Sequence, residues 1–158
     1  MIKNLGYGKI SKNHKAPDFE YLSKLENIIN SIINQNPNHI VKIYEFSKKE
    51  LSYSYIMEEL KPISINDKEI ISRYRDIKHK FHKKINDQYI IDNIYDSLYK
   101  VNYKLIKFLD FVVQEDRYWD LHKNNVRLDY NDDYRLIDIE GFIKPKFDYW
   151  IDSNIKWE

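Results

Sequence analysis

The amino-acid sequence predicts an α+β fold with a helix and two strands early in the chain, helices in its middle, and two short strands near its end. Two kinds of pattern support this prediction. In some stretches apolar residues recur every three or four positions, as on one face of a helix. In others β-branched and aromatic residues alternate with polar ones, as in half-buried strands.

The first predicted helix covers residues 18–34. Its apolar side chains share one helical face: Leu22, Leu25, Ile28, Ile29, Ile32 and Ile33. Asp18 is a typical N-cap, and Pro37 disfavours the α conformation in the residue before it. We therefore expect the helix to end before Asn36.

A pair of strands is predicted after this helix. Residues 39–46 are rich in β-branched and aromatic side chains, and residues 53–58 repeat that character after a lysine-rich turn. Strands joined by a short turn usually pair with each other in antiparallel fashion. We therefore expect a hairpin here.

The middle of the chain is predicted to form two helices. Residues 67–84 are polar and basic, and the run 73–84 is typical of a solvated helix face. Residues 92–114 predict one long buried helix with a continuous apolar face: Ile94, Leu98, Val101, Leu105, Phe108, Leu109 and Val112. Two short strands, 126–128 and 135–137, then flank an Asn- and Asp-rich turn.

The composition excludes several classes of protein. The chain has no cysteine, so it can form neither a disulfide nor a thiolate metal site. Its 26 basic and 25 acidic residues nearly balance, which argues against bulk nucleic-acid or membrane binding. Without a long apolar run or a signal-peptide pattern, we expect a cytoplasmic protein. Abundant Ile, Asn, Lys and Tyr indicate an AT-rich genome, such as that of a phage or an intracellular bacterium.

Three polar residues near the end of the chain have the spacing of a reaction centre. Asn125 follows Asp120 by five residues and Asp138 follows Asn125 by thirteen, each in a short stretch bounded by apolar residues. Phosphoryl transfer from a metal nucleotide needs one carboxylate to orient the attacking hydroxyl. It also needs an amide oxygen and a second carboxylate to hold magnesium. Each residue alone is a common turn residue, so the prediction rests on their joint spacing.

The two segments that carry these residues read W-D-L-H-K-N-N-V at 119–126 and L-I-D-I-E-G-F at 136–142. They resemble the catalytic loop (H-R-D-L-x-x-x-N or H-x-D-L-H-x-x-N-V) and the metal loop (D-F-G or I-D-x-E) of the protein-kinase-like superfamily. That superfamily includes eukaryotic-type protein kinases and the aminoglycoside and choline phosphotransferases. In detail, the segments look more like the small-molecule phosphotransferases and small phage kinase-like proteins than regulated protein kinases.

The resemblance implies a protein-kinase-like fold with ATP and Mg2+ as cofactors. Asp120 would be the catalytic residue, and Asn125 and Asp138 would bind the metal, although Gly141 comes one residue later than in D-F-G. Met57 precedes the segment that resembles the interlobe hinge, which pairs with adenine through its backbone. The hinge residues would be Glu58, Glu59 and Leu60.

The phosphate-binding lysine is less clearly marked. In the family, a strand lysine grips the α- and β-phosphates and is held by a helical glutamate. Glu26 is the best helical partner, and Lys9 precedes it by about the family's interval. With Lys9 in that role, too few residues precede it for the usual glycine-rich loop. The alternative treats residues 5–8, Leu-Gly-Tyr-Gly, as a shortened phosphate-covering loop and leaves no clear lysine.

The chain also departs from the family. Tyr118 and Trp119 replace the H-R pair, so control through phosphorylation of an activation loop is not expected. Seventeen residues follow Gly141, which leaves no room for an activation segment or peptide-docking helices. We expect one kinase-like domain over residues 1–158, with a small lobe at 1–60 and a truncated helical lobe at 61–158. The aromatic-rich tail, 147–157, is predicted to cover the core.

The functional prediction is an ATP- and magnesium-dependent phosphotransferase acting on a hydroxyl of a protein or a small molecule. One alternative is an inactive pseudokinase that serves as a nucleotide-binding or protein-interaction module, which a phage could direct at a host protein. Another keeps the metal-nucleotide site and transfers a nucleotidyl group. His79 and His82 do not suggest a metal site, because no carboxylate or thiolate partner accompanies them.

Overall fold

The structure is a computed structural model that describes residues 1–144. It confirms the α+β class, with an antiparallel sheet and four α-helices in that range. The chain forms two compact units. The first contains Met1–Pro62 and Arg127–Ile143, and the second contains Ile63–Val126. Residues 127–143 thus belong to the first unit, although the sequence placed them with the second.

A four-stranded antiparallel sheet forms the base of the first unit, in the order β1-β2-β4-β3. Its strands are β1 (Ile2–Gly6), β2 (Lys9–Lys15), β3 (Ile43–Lys49) and β4 (Ser52–Glu58). The sequence did not predict β1 and β2, because their side chains are mostly polar and give little alternation. Gly6, Tyr7 and Gly8 join them in a tight turn with φ values of 79°, 54° and 73°. Glycine tolerates this left-handed conformation without steric cost.

Helix α1 (Phe19–Gln35) covers one face of this sheet. As predicted, Asp18 caps it by accepting a hydrogen bond from Tyr21 N at 2.8 Å. Asn36, with φ of 45°, ends it in the left-handed conformation. The helix and sheet share one apolar core, formed by Leu22, Leu25, Ile29, Ile32, Tyr53, Tyr55 and Met57 among others.

The predicted strand at residues 39–46 is correct only in its second part, because β3 begins at Ile43. Residues 39–41 pair instead with β6 (Tyr134–Leu136). Val41 N donates to Leu136 O at 2.8 Å, and Leu136 N donates to His39 O at 2.9 Å. β6 also pairs with β5 (Val126–Leu128), so the predicted late hairpin is confirmed.

In the second unit, helix α2 (Ile65–Ile77) is shorter than the predicted 67–84. The predicted long helix at 92–114 is two helices, α3 (Gln88–Val101) and α4 (Tyr103–Asp110), followed by a π-helical turn, Phe111–Glu115. The break occurs at Asn102, whose Oδ1 accepts from Leu105 N at 3.1 Å and whose Nδ2 donates to Asp67 at 3.0 Å. A side chain that caps the next helix competes with continuation of the previous one.

The helix break changes which apolar residues are buried. Leu98, Leu105, Leu109 and Val112 are buried as predicted, while Val101 is 72% exposed. Ile94 and Phe108 are half-buried. Asp110 joins the helices of this unit by accepting hydrogen bonds from Tyr74 Oη at 2.6 Å and Tyr95 Oη at 2.5 Å.

Within residues 1–144, no helix combines the length and the apolar character needed to cross a membrane. The prediction for the aromatic tail concerns residues outside the described range. The prediction of a single domain over residues 1–158 stays a prediction.

Replacing the N-cap Asp18 by Ala should lower the free energy of unfolding by about 1 kcal/mol, because Tyr21 N loses its acceptor. Asp18→Ser keeps a capping oxygen and should cost only a few tenths of that amount. Urea denaturation of both variants measures the difference. Equal losses would show that the cap does not stabilise α1.

Candidate functional site

The centre of the first unit's polar site is Lys12, on strand β2. Its Nζ lies 2.9 Å from Asp138 Oδ1 and 2.7 Å from Glu140 Oε1. Its side chain is only 12% exposed. Both carboxylates belong to the segment around a short 3₁₀ turn, Ile139–Phe142, whose Ile139 is buried in the core beneath α1. Packing of an apolar residue thus holds the two acidic neighbours against the strand.

Two tyrosines of β4 complete the surroundings of Glu140. Tyr53 Oη donates to Glu140 Oε2 at 2.7 Å, and Tyr55 Oη donates to Oε1 at 2.9 Å. Their rings lie on the same sheet face, nearly parallel, with centroids 6.4 Å apart. Glu140 therefore accepts from three protein donors, counting Lys12. Lys12, Tyr53, Asp138 and Glu140 line an open pocket together with His14 and Tyr21.

The electrostatics differ for the two carboxylates. Burial alone would raise the pKa of Glu140, but hydrogen bonds with Asp138, Lys12 and Tyr53 lower it below its usual range. Burial raises the pKa of Asp138, and its hydrogen bond with Glu140 adds to the rise. Burial lowers the pKa of Lys12, but Glu140 and Asp138 outweigh that effect and the net pKa is raised. Glu140 is thus the firmly charged anchor of the site, and Asp138 is the carboxyl that loses its charge more easily.

Neither Lys12 nor Glu140 was predicted from the sequence as a site residue. Glu140 lies in the I-D-x-E pattern and could have been taken from it. Lys12 gave a weaker signal, because recognising it requires the β1-β2 hairpin. Once Gly6 and Gly8 are assigned to a turn, Ile10, Lys12 and His14 fall on one face of the following strand.

The expected clamp between Lys9 and Glu26 is not formed. Lys9 pairs with Glu58 across the strands, and its Nζ lies 4.3 Å from the centroid of the Tyr44 ring. Glu26, on α1, accepts from Lys48 Nζ at 2.6 Å. The reason is strand alternation. Lys12 lies opposite Tyr55 on the face that α1 covers, and Lys9, three residues earlier, lies on the other face.

The segment expected to be a hinge, residues 58–60, lies at the end of β4 and shortly before the second unit in the sequence. Glu58 N donates to Lys42 O at 2.9 Å, and Glu59 N donates to Gly8 O at 2.8 Å. Those two amides are therefore engaged within the protein. Leu60 is buried, and its carbonyl accepts from Arg127 Nη1 at 3.4 Å.

Asp120 and Asn125 belong to one tightly closed loop of the second unit. Asn125 is buried, and its Nδ2 donates to Asp120 O at 2.9 Å. Asn125 N donates to His122 O at 3.0 Å, while the Asp120 carboxylate lies 3.9 Å from His122 Nε2. Buried Tyr118 and Leu121 anchor the loop. Because the amide nitrogen of Asn125 holds the loop, its oxygen is the atom that could ligate a cation.

His79 contradicts the expectation of a solvated helix face at residues 73–84. It lies beyond the end of α2 and is buried. Its Nδ1 accepts from Phe81 N at 3.2 Å, which requires the neutral ring. Burial, followed by the charges of His82 and Arg75, lowers the pKa of His79 to about 4.

Comparison with known proteins gives little similarity in sequence. No known protein family matches the chain, and neither does any curated protein. Among solved structures, the bifunctional kinase-methyltransferase WbdD is 15% identical, with a TM-score of 0.40 over 94% of this chain and 31% of that one. A structure of WbdD with a kinase inhibitor is also 15% identical, with a TM-score of 0.42 over 89% of this chain and 32% of that one. This chain spans about a third of their length.

Lys12→Met should lower the free energy of unfolding by about 3–5 kcal/mol, because two half-buried carboxylates lose their cation. The matched control is Lys48→Met, which removes a more exposed ion pair with Glu26 and should cost about 0–1 kcal/mol. Denaturant titration measures both. Similar losses for the two variants would contradict a stabilising role for the Lys12 pair.

The protein should lose stability as the pH falls from about 6.5 to about 4, where unfolded His79 binds a proton and folded His79 does not. At full titration the effect is on the order of 3 kcal/mol. His79→Asn keeps an acceptor for Phe81 N and should reduce the dependence, leaving the part due to His82, whose pKa burial also lowers. Thermal melts of both proteins at pH 7 and pH 5 test this. Parallel pH profiles would exclude His79 as the cause.

Proposed function

We propose that this chain is a kinase-like phosphotransferase that binds ATP with Mg2+ and phosphorylates a hydroxyl group of a protein or a small molecule. The observation that carries the proposal is the contact of Lys12 with Asp138 in the I-D-x-E segment. It puts a cation suited to phosphate next to a carboxylate suited to magnesium. Kinases that use a metal nucleotide need this pair of groups.

The polar residues available fit magnesium. Mg2+ prefers oxygen ligands and is usually bound by one or two carboxylates together with substrate phosphates. Asp138 offers a carboxylate oxygen and Asn125 an amide oxygen, so both are ligands of the kind that magnesium takes. Bound magnesium would neutralise the charge that develops on the phosphates during transfer.

Lys12, rather than Lys9, takes the role of the phosphate-binding lysine in this proposal. Its two acidic partners have different tasks. Glu140, fixed by Tyr53 and Tyr55, keeps the ammonium group in place. Asp138, which shares the ammonium with Glu140, would offer a carboxylate oxygen to a bound cation. Lys12 would then neutralise phosphate oxygens without losing its anchor.

Asp120 orients the acceptor hydroxyl and accepts its proton in the proposed reaction. Its backbone carbonyl is fixed by Asn125 Nδ2, so the carboxylate starts from a defined position. General base catalysis of this kind typically contributes a factor of about 10²–10⁴. Leu60 provides the backbone for adenine, since the amides of Glu58 and Glu59 are engaged.

A second candidate function is nucleotide binding without turnover. It is favoured by the absence of the Lys9–Glu26 clamp and by the full neutralisation of Lys12 by two carboxylates. In that case the chain would act as a nucleotide-binding or protein-interaction module. It shares the nucleotide site with the first candidate and differs in the transfer step alone.

ATP with Mg2+ should raise the melting temperature of the protein, because a ligand that binds only the native state stabilises it by about 2.7 kcal/mol at a hundredfold excess over Kd. The shift should vanish with EDTA and shrink strongly in Asp138→Asn, which removes the metal-binding carboxylate. Glu26→Gln, away from Lys12, is the control that keeps the shift. A wild-type protein indifferent to ATP and Mg2+ would refute both candidate functions.

Radiolabelled ATP should transfer label to an acceptor in a cell extract, and Asp120→Asn should reduce the rate about 10²–10⁴-fold while keeping the ATP-induced thermal shift. Labelling that is equal in the two proteins would refute catalysis by Asp120. A thermal shift without labelling would favour the binding module. The mass added to the product separates phosphoryl from nucleotidyl transfer.

A further inference from the structure

Basic side chains gather around the Asp120 loop within the second unit. Arg75 lies in the last turn of α2, His79 and His82 follow that helix, and His122 lies in the loop itself. We refer to Arg75, His79, His82 and His122 as the Arg75 cluster. The rings of His79 and His82 meet edge to face, with centroids 5.0 Å apart. The charge of Arg75 acts on all three histidines and on Asp120.

The cluster contains a buried donor that the described part of the protein around it does not satisfy. Asp120 and Asp76 are the carboxylates that act on Arg75, and burial still lowers the pKa of the guanidinium. Arg75 Nε is buried and donates to no acceptor within residues 1–144. Burying a donor of this kind without an acceptor is costly, and native proteins rarely leave one in that state. A bound anion would supply the missing acceptor.

The shape of the cluster favours a small terminal anion. Its side chains are a planar guanidinium and three imidazoles, carried by two separate segments of the chain. A tetrahedral phosphate, with several acceptor oxygens, suits such a set better than a planar carboxylate does. His79 is buried, and Arg75, His82 and His122 are half-buried, so a polymer backbone is poorly accommodated.

We propose that the Arg75 cluster binds the phosphate group of a phosphate monoester that also carries a free hydroxyl. Because His122 Nε2 lies 3.9 Å from the Asp120 carboxylate, such a ligand would present its hydroxyl to that carboxylate. This assignment of the acceptor class rests on the proposed phosphotransferase function. Binding of the phosphate itself does not, and it requires neither ATP nor magnesium.

Histidine NMR of the wild-type protein tests binding without any substitution. Three of the five histidines belong to the cluster, and His14 and His39 lie in the first unit. Titration with glycerol 3-phosphate or inorganic phosphate, at constant ionic strength and without ATP, should shift the ring signals of His82 and His122 saturably. His39 should stay unchanged, and glycerol should shift none of them. Shifts confined to His14, which feels the charge of Lys12, would overturn the proposal, as would no saturable shift.

A pair of matched variants tests the role of Arg75. Arg75→Gln should weaken phosphate binding at least tenfold, while Arg73→Gln, an equal charge change on an exposed residue of the same helix, should leave it unchanged. Equal weakening in both would show a general charge effect and overturn the proposal. His122→Asn, on the other segment, should also weaken binding and serves if Arg75→Gln does not fold.

The outcomes separate this proposal from the proposed function. If the wild-type protein does not bind phosphate but still shows the ATP-induced thermal shift, the acceptor site alone is overturned. Phosphate binding without any response to ATP and Mg2+ would keep the anion site and refute the phosphotransferase. If both hold, glycerol 3-phosphate should be labelled from ATP faster than glycerol in the wild-type protein. A preference for glycerol would overturn the assignment of the acceptor class.

Discussion

The ion pair of Lys12 with Asp138 and Glu140 connects parts of the chain that are 126 and 128 residues apart in sequence. It draws the segment after β6 onto the sheet built by the first residues of the chain, and the first unit is closed by that contact. Charges so little exposed are costly to remove from water unless they are paired and hydrogen-bonded. Glu140 meets that requirement through Lys12 and two tyrosines, and Ile139 between the carboxylates adds apolar packing.

The two carboxylates of this ion pair, Glu140 and Asp138, differ in how strongly their charged forms are stabilised. One is locked by several donors and keeps the lysine charged and oriented. The other shares the lysine, and burial raises its pKa. A site that handles a charged ligand benefits from such a division, because a firmly ionised anchor and a second carboxyl that loses its charge more easily are both present before any ligand arrives.

Sequence patterns predicted the parts of the fold whose apolar residues repeat locally. The cap at Asp18, the buried face of α1 and the strands on either side of the late turn follow from neighbours within a few residues. The β1-β2 hairpin was not predicted because its strands are polar. The break at Asn102 was not predicted because the apolar period continues through it. Lys12 could not be identified from its neighbours in sequence, because its partners meet it only in the folded chain. Asp120, Asn125 and Asp138 were selected from their spacing, and their roles stay a prediction.

The alternation of β2 imposes a strict rule on the length of the chain near the site. Successive residues of a strand point to opposite faces, so a shift by one position would replace Lys12 at the carboxylates with Ser11 or Asn13. Two half-buried acids would then face a short neutral side chain. A shift by two positions would keep the face but place Ile10 or His14 there, so the register of β2 has to be kept as well. The hydrogen bond from Ala16 N–H to Leu51 O at 2.8 Å follows directly after the strand. The register of these seven strand residues thereby determines whether a lysine reaches the two carboxylates.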